Sequence, residues 1–217
     1  MSHELVFKKG IMFDLDGTLV NTLPDIATSI NLARQAMGFD PMKPGDITCH
    51  VGNGTVHLVR QTIPVPEAQF EEAHNHYLSF YMEHMLDESE LNPGAEEILH
   101  QFADRSLAVI TNKPQNQTEK ILAGLGVRDS FRVVLGGDAL EKKKPDPLPL
   151  LHYMKQEGLS PDDVVMVGDG VNDIRAAHAA GVLAIGVTLG VSTLAELKAE
   201  KPAGIIEELT MLQEWIC

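Results

Sequence analysis

The sequence predicts an α/β protein, a doubly wound parallel sheet with a small all-helical segment inserted after its first strand. Three observations carry this. Short apolar runs of strand length alternate with helical patterns through the second half of the chain. One similar run stands apart near the beginning, and the stretch between them reads as helix throughout. Continuous apolar strands alternating with helices imply a parallel sheet covered on both faces.

Val6 to Leu15 reads as the first strand. Pro24 opens a helix whose apolar residues Ile26, Ile30, Ala33 and Met37 fall at three- and four-residue steps, and Gly38 ends it. Pro41, Pro44 and Gly45 read as a loop, followed by Val51-Gly52-Asn53-Gly54-Thr55. Leu58, Val59 and Ile63, then Phe70, Ala73, Tyr77, Phe80 and Tyr81, mark two further helices separated at Pro64 and Pro66. No buried strand is evident from Leu23 to Asp87. After Asn92-Pro93-Gly94 come a helix over Ala95 to Ala103, the strand Leu107–Ile110, a helix from Gln115 to Leu125 and the strand Phe131–Leu135. A helix from Pro147 to Gln156, the strand Val164–Val167, a helix over Ile174 to Ala180 and the strand Leu183–Val187 complete the alternation. The expected organisation is a core of residues 1–20 and 91–217 with an inserted unit of residues 21–90.

Seventeen basic against 31 acidic residues leave a formal charge of −14. That excludes nucleic acid and anionic membrane as the main partner, so an anionic substrate has to be held locally, by a few lysines or a metal. Two cysteines, Cys49 and Cys217, make no disulfide framework. The N-terminal residues lack the basic and apolar regions of a signal peptide, and the mostly apolar run from Val182 to Val191 is too short for a bilayer. A cytoplasmic protein is expected. Its oligomeric state is not legible.

In open parallel sheets, ligands bind beyond the carboxyl ends of the strands. Here those ends read Asp14-Leu15-Asp16, Thr111-Asn112-Lys113, Gly136-Gly137-Asp138 and Gly168-Asp169-Gly170. Alone, Asp14 and Asp16 also admit a reading as a plain turn or as a fragment of a calcium loop, the latter weak because Thr18, Leu19 and Val20 stand where further oxygen ligands belong. Four polar ends drawn from distant parts of the chain make a site. Asp14, Asp16 and Asp169 form an oxygen-only set suited to Mg2+; Asp173, one helical turn after Asp169, stands behind it. Thr111 offers a hydroxyl and Lys144 a positive charge. Carboxylates, Mg2+, a lysine and a hydroxyl are the parts of phosphoryl transfer, with a carboxylate able to attack in line.

Asp14-Leu15-Asp16-Gly17-Thr18-Leu19-Val20, Ile110-Thr111-Asn112, Lys144-Pro145 and Gly168-Asp169-Gly170-Val171-Asn172-Asp173 resemble, in order, the four motifs of the haloacid dehalogenase-like hydrolase superfamily. The resemblance covers nearly the whole chain. It implies a Rossmann-like core and makes the helical insertion similar to that superfamily's small cap domain. Within the superfamily, Gly52-Asn53-Gly54, Gly136-Gly137-Asp138 and Lys144-Pro145-Asp146-Pro147-Leu148-Pro149 resemble phosphoglycolate phosphatases. By this resemblance Asp14 is the nucleophile that becomes an aspartyl-phosphate, and Asp16 is the general acid and then base. Thr111 and Asn112 hold the phosphoryl group, and Lys144 offsets charge on both. Asp14, the Asp16 backbone carbonyl and Asp169 bind Mg2+, with Asp173 in support. The superfamily's dehalogenases and phosphonatases lack an aspartate at the position of Asp16, so the resemblance implies a phosphatase acting on a small phosphorylated metabolite, 2-phosphoglycolate first. A pyrophosphatase, a nucleotidase, a sugar-phosphate mutase or a non-catalytic binding protein on the same fold remain open alternatives.

Other features carry blander expectations. Gly168-Asp169-Gly170 lacks the rest of a dinucleotide fingerprint. Gly52-Asn53-Gly54 is a tight turn and equally a substrate-selecting loop. Arg60, His57, His74, His76 and His84 are expected on the surface. Lys142 and Lys143, beside Lys144, are expected to face solvent. Opening of the cap is expected about Val20–Leu23 and Asp87–Asn92.

Overall fold

The computed structural model describes residues 6–217; residues 1–5, part of the expected core segment, lie outside the described residues. Strand β1 (Gly10–Phe13) is buried at every position. Ile11 and Phe13 pack into one apolar cluster and Met12 into another. Alternate residues of a strand point to opposite faces, so β1 has a core on each side and its run is continuously apolar. The strand is shorter than the expected Val6–Leu15, because beyond Phe13 the chain turns and before Gly10 only Val6 makes an isolated bridge, to Ile216.

A two-stranded antiparallel ribbon, β2 (Val20–Asn21) with β3 (Glu90–Leu91), closes the neck of the insertion. Between its strands lie α1 (Leu23–Ala36), α2 (Pro44–Thr48), α3 (Thr55–Thr62) and α4 (Phe70–His84). Ile26, Ile30 and Ala33 of α1 and Ala73, Tyr77 and Tyr81 of α4 are buried, as three- and four-residue spacing dictates. Helix α2 replaces the expected loop; Pro44 sits in its first turn, where a missing N–H costs nothing. The returning linker is tied to α1 by Asp25, whose buried carboxylate accepts from the Ser89 N–H at 2.8 Å and the Ser89 hydroxyl at 2.7 Å.

The chain continues through α5 (Ala95–Gln101), β4 (Ser106–Ile110), α6 (Gln115–Gly124), β5 (Val133–Leu135), α7 (Leu148–Glu157), β6 (Val164–Gly168), α8 (Val171–Ala180), β7 (Leu183–Val187), α9 (Leu194–Ala199) and β8 (Gly204–Ile206). The sheet is parallel throughout, in the order β5-β4-β1-β6-β7-β8. The predicted fold class is the observed one. Phe13 pairs with Val109 on one side and Val167 on the other, so β1, β4 and β6 end level and their following residues meet at one edge. Among the described residues, no helix is long and apolar enough to cross a membrane.

Candidate active site

At that edge the turn Asp14–Thr18 parts the two carboxylates of β1. Leu15 N–H donates to Asp14 Oδ1 at 2.7 Å, and Asp14 Oδ1 lies 3.0 Å from Lys144 Nζ. Asp16 points elsewhere: its Oδ1 accepts from the Thr22 hydroxyl at 2.6 Å and from Lys113 Nζ at 2.9 Å. The turn needs Gly17, at φ +80°, because a Cβ there would stand 2.7 Å from Asp169 Oδ2.

Asp14, Asp169 and Asp173 present buried carboxylate oxygens within 4.8 Å of one another. Asp169 is held by the Thr18 hydroxyl at 2.8 Å and the Val191 N–H at 2.9 Å, and a Cβ on Gly190 would strike it at 1.9 Å. Asp173 Oδ2 accepts from the Gly170 N–H at 2.9 Å, while its Oδ1 lies 2.5 Å from Lys144 Nζ. Expected behind the cluster, Asp173 is a full member of it. Burial, then the neighbouring charge of Asp14, pushes both Asp169 and Asp173 carboxyls well above the ordinary carboxylate range. Burial alone lowers Lys144, but Asp14 and Asp173 outweigh it and the net shift is upward.

Formally, four carboxylates (Asp14, Asp16, Asp169 and Asp173) face two ammonium groups (Lys113 and Lys144), an excess of two negative charges. That excess and the all-oxygen donor set fit a hard divalent cation. The Asp16 carboxylate lies outside the cluster, so only its backbone carbonyl is left for a metal.

Thr111 and Asn112 are buried at the end of β4. Thr111 faces a pocket shared with Asp14, Asp16 and Lys113 and roofed by Ile26, Leu58 and Tyr77. The Nδ2 of Asn112 donates to Gly52 O at 2.9 Å and to Lys144 O at 2.8 Å, which ties the end of β4 to the cap loop and to the Lys144 segment. Gly52 and Gly54 line the pocket at φ +102° and +89°, so that stretch is both a tight turn and a wall of the site. Asn53 accepts from Asn172 Nδ2 at 3.0 Å through Oδ1, and from Lys143 Nζ at 2.9 Å through its carbonyl. Lys143 is exposed, as expected, and its ammonium reaches this loop from the surface. Lys142 pairs with Asp146 at 2.9 Å.

One strand end is set apart. Asp138 is exposed in a neighbouring cleft rather than in the pocket of Asp14 and Thr111, and its Oδ1 accepts from the Gln115 N–H that begins α6. Gly137 is required beside it, since a Cβ would lie 2.4 Å from Asn112 O. Arg60 is taken up by Glu67 and the Phe70 ring, and His74 stacks on Phe70.

The sequence model of haloacid dehalogenase-like hydrolases matches residues 11–187, which span Asp14, Asp16, Thr111, Lys144, Asp169 and Asp173. The chain belongs to the haloacid dehalogenase-like hydrolase family. It is 38% identical over 209 residues to a protein named phosphoglycolate phosphatase from Chromobacterium violaceum, covering 93% of this chain and 94% of that one. It is 35% identical over 225 residues to a protein of the same name from Neisseria meningitidis, covering 99% and 96%. A crystal structure from Haemophilus somnus, described as a predicted phosphoglycolate phosphatase, superposes with a TM-score of 0.90 at 33% identity, covering 94% of this chain and 96% of that one.

Against this haloacid dehalogenase-like background, three groups escaped the sequence reading. Thr18 fastens Asp169, while Thr22 and Lys113 fasten Asp16. Thr18 and Lys113 lie inside the stretches already singled out, so position alone pointed to them. Thr22 is six residues from Asp16 and only the turn brings it back.

Proposed function

We propose that the chain is a Mg2+-dependent phosphatase of small phosphate monoesters, 2-phosphoglycolate first. The observation that carries this is the parting of Asp14 from Asp16. One carboxylate lies with Lys144 and the acidic cluster, and the other, two residues on, lies at the pocket with a separate set of partners. Hydrolysis through a covalent intermediate needs that division, one group to attack and one to move a proton. The names of the relatives supply the first guess at the ester.

Asp14 attacks phosphorus in line and carries the phosphoryl group as an aspartyl-phosphate. Asp16 gives a proton to the departing oxygen and afterwards takes one from the attacking water. The Thr111 hydroxyl donates to a phosphoryl oxygen, and Lys144 offsets negative charge on Asp14 and on the transferred group. Asp14, Asp169 and the Asp16 carbonyl would hold Mg2+, with Asp173 beside them; when bound, the ion supplies positive charge to the phosphoryl oxygens. Residues 1–20 and 91–217 form the catalytic core, and residues 21–90 form the cap that excludes water. The setting is cytoplasmic and the partner a small metabolite.

Incubation with a panel of phosphate esters, with Mg2+ and then with chelator, tests the reading. Phosphate release that needs the metal and disappears in Asp14→Asn is expected. No release from any ester would sink it.

A further inference from the structure

The pocket between the roof and the strand ends holds one basic group. Lys113 is the only lysine or arginine among the described residues that line it. Its side chain is 3% exposed. Nζ donates to Asp16 at 2.9 and 3.1 Å and rests 4.4 Å from the centre of the Tyr81 ring. The phosphoryl end has its own cation, Lys144, which touches Asp14 and Asp173. Lys113 is therefore a second positive charge, placed on the leaving-group side, in a chain whose net charge is −14. An ammonium has three donors, and a buried lysine needs anionic partners.

We propose that Lys113 holds a carboxylate of the substrate and so selects phosphate esters of short 2-hydroxy acids. This rests on the phosphatase reading of the site. The departing ester oxygen and Lys113 Nζ are both hydrogen-bond neighbours of the Asp16 carboxyl group. Two atoms that each lie about 3 Å from the same small group are separated by roughly 4–6 Å. A carboxylate oxygen bonded to Nζ then falls one or two carbons from the ester oxygen. In a 2-hydroxy acid one carbon separates the ester oxygen from the carboxyl carbon. Ile26, Leu58 and the ring of Tyr77 close the roof, and the hydroxyl-bearing residues there, Thr55 and Tyr77, carry no charge, so Lys113 is the one cationic anchor among the described lining residues.

Wild type is compared on 2-phosphoglycolate, ethyl phosphate and the one-carbon-longer 3-phosphooxypropionate. The expected kcat/KM for phosphoglycolate exceeds that for ethyl phosphate by roughly ten- to a hundredfold, the range of a hydrogen bond to a charged group. The longer acid is expected to lie between them. Lys113→Met should collapse that ratio toward one, mainly through KM, while Lys113→Arg should restore part of it. Disturbing Asp16 would lower both esters together and leave the ratio standing, so the ratio separates holding the carboxylate from merely placing Asp16. In parallel, calorimetry on wild type with Mg2+ compares 3-phosphonopropionate with propylphosphonate, which differ only at the carboxylate end. Tighter binding of the former supports the proposal without turnover or a folded variant. Equal binding of the two, or a ratio unchanged in Lys113→Met, overturns it. Absence of turnover on every ester would instead strike the phosphatase reading, while the calorimetric comparison repeated on Lys113→Met, where the preference for 3-phosphonopropionate should vanish, still decides Lys113.

Discussion

Lys144 Nζ lies 3.0 Å from Asp14 Oδ1, with both groups buried at the edge of the sheet. The same ammonium reaches Asp173 at 2.5 Å, so one cation sits between residues drawn from the end of β1 and the first turn of α8. Removing it leaves three carboxylates packed together with no ammonium among them, and breaking a buried pair by deleting one partner costs about 3–5 kcal/mol. Lys144→Met is expected to lower kcat by a hundredfold or more and to lower Tm without metal, with much of the Tm loss recovered by Mg2+. Lys144→Arg should not rescue turnover, because a planar fork does not fit where a compact ammonium was enclosed. Steady-state rates and melting curves with and without Mg2+ check this.

Asp16 is argued to serve the leaving group. Asp16→Ala should cost roughly a hundredfold to ten-thousandfold on an alkyl ester. On an aryl ester with a good leaving group the loss should be smaller, since little protonation is needed at the first step. A near wild-type rate on the alkyl ester would remove Asp16 from this role.

Much of this was legible in the chain itself. β1, β4, β6 and β7 are buried on both faces, so their continuous apolar runs stood out, and the residues following three of them marked the site. The tail was not legible. β8 has only three residues, too few for a pattern, and α9 was announced only by its capping box, in which Thr193 N–H donates to Glu196 Oε2 at 2.8 Å. Asp138 misled because a carboxylate at a strand end is equally useful at the start of the following helix. Lys143 is exposed, as three lysines in a row suggest, but only the folded cap loop puts the Asn53 carbonyl within its reach. Sequence spacing marks which residues leave a strand together. It does not say which long side chain crosses a cleft.

The acidic cluster also predicts how stability responds to pH. The Asp169 and Asp173 carboxyls are raised above their unfolded values by burial and by Asp14. A raised carboxyl holds its proton in the folded state where the unfolded chain has lost it. Their contribution is thus fully present at acid pH and falls as pH rises from the ordinary carboxylate range through the raised values. Metal binding must displace those protons, so Mg2+ should bind more tightly and raise Tm more at about pH 8 than at about pH 5. Melting curves across that range with Mg2+ or chelator measure it; a metal-induced shift larger at the acid end would contradict the cluster as the metal site.

The roof of the site is held down by polar contacts converging on two residues of one loop. Gly52 O accepts from Asn112 at 2.9 Å and from Asn172 at 3.2 Å, while Asn53 receives Lys143 and Asn172. Asn172 lines the cleft beside the acidic cluster, but its bonds and that of Lys143 go to the loop, so changing both should leave the Asp14–Lys144 pair in place. Each lost contact is worth about 0.5–1.5 kcal/mol at most, and less where water competes. Lys143→Ala with Asn172→Ala should therefore favour the open cap and raise KM by roughly threefold to tenfold. The rate constant kcat should hold steady, or rise if release of product through the opening cap limits turnover. Amide exchange at residues 52–54 should quicken in the double variant. An unchanged KM together with unchanged exchange would mean that apolar packing of the helical segment, rather than this loop, keeps the site closed.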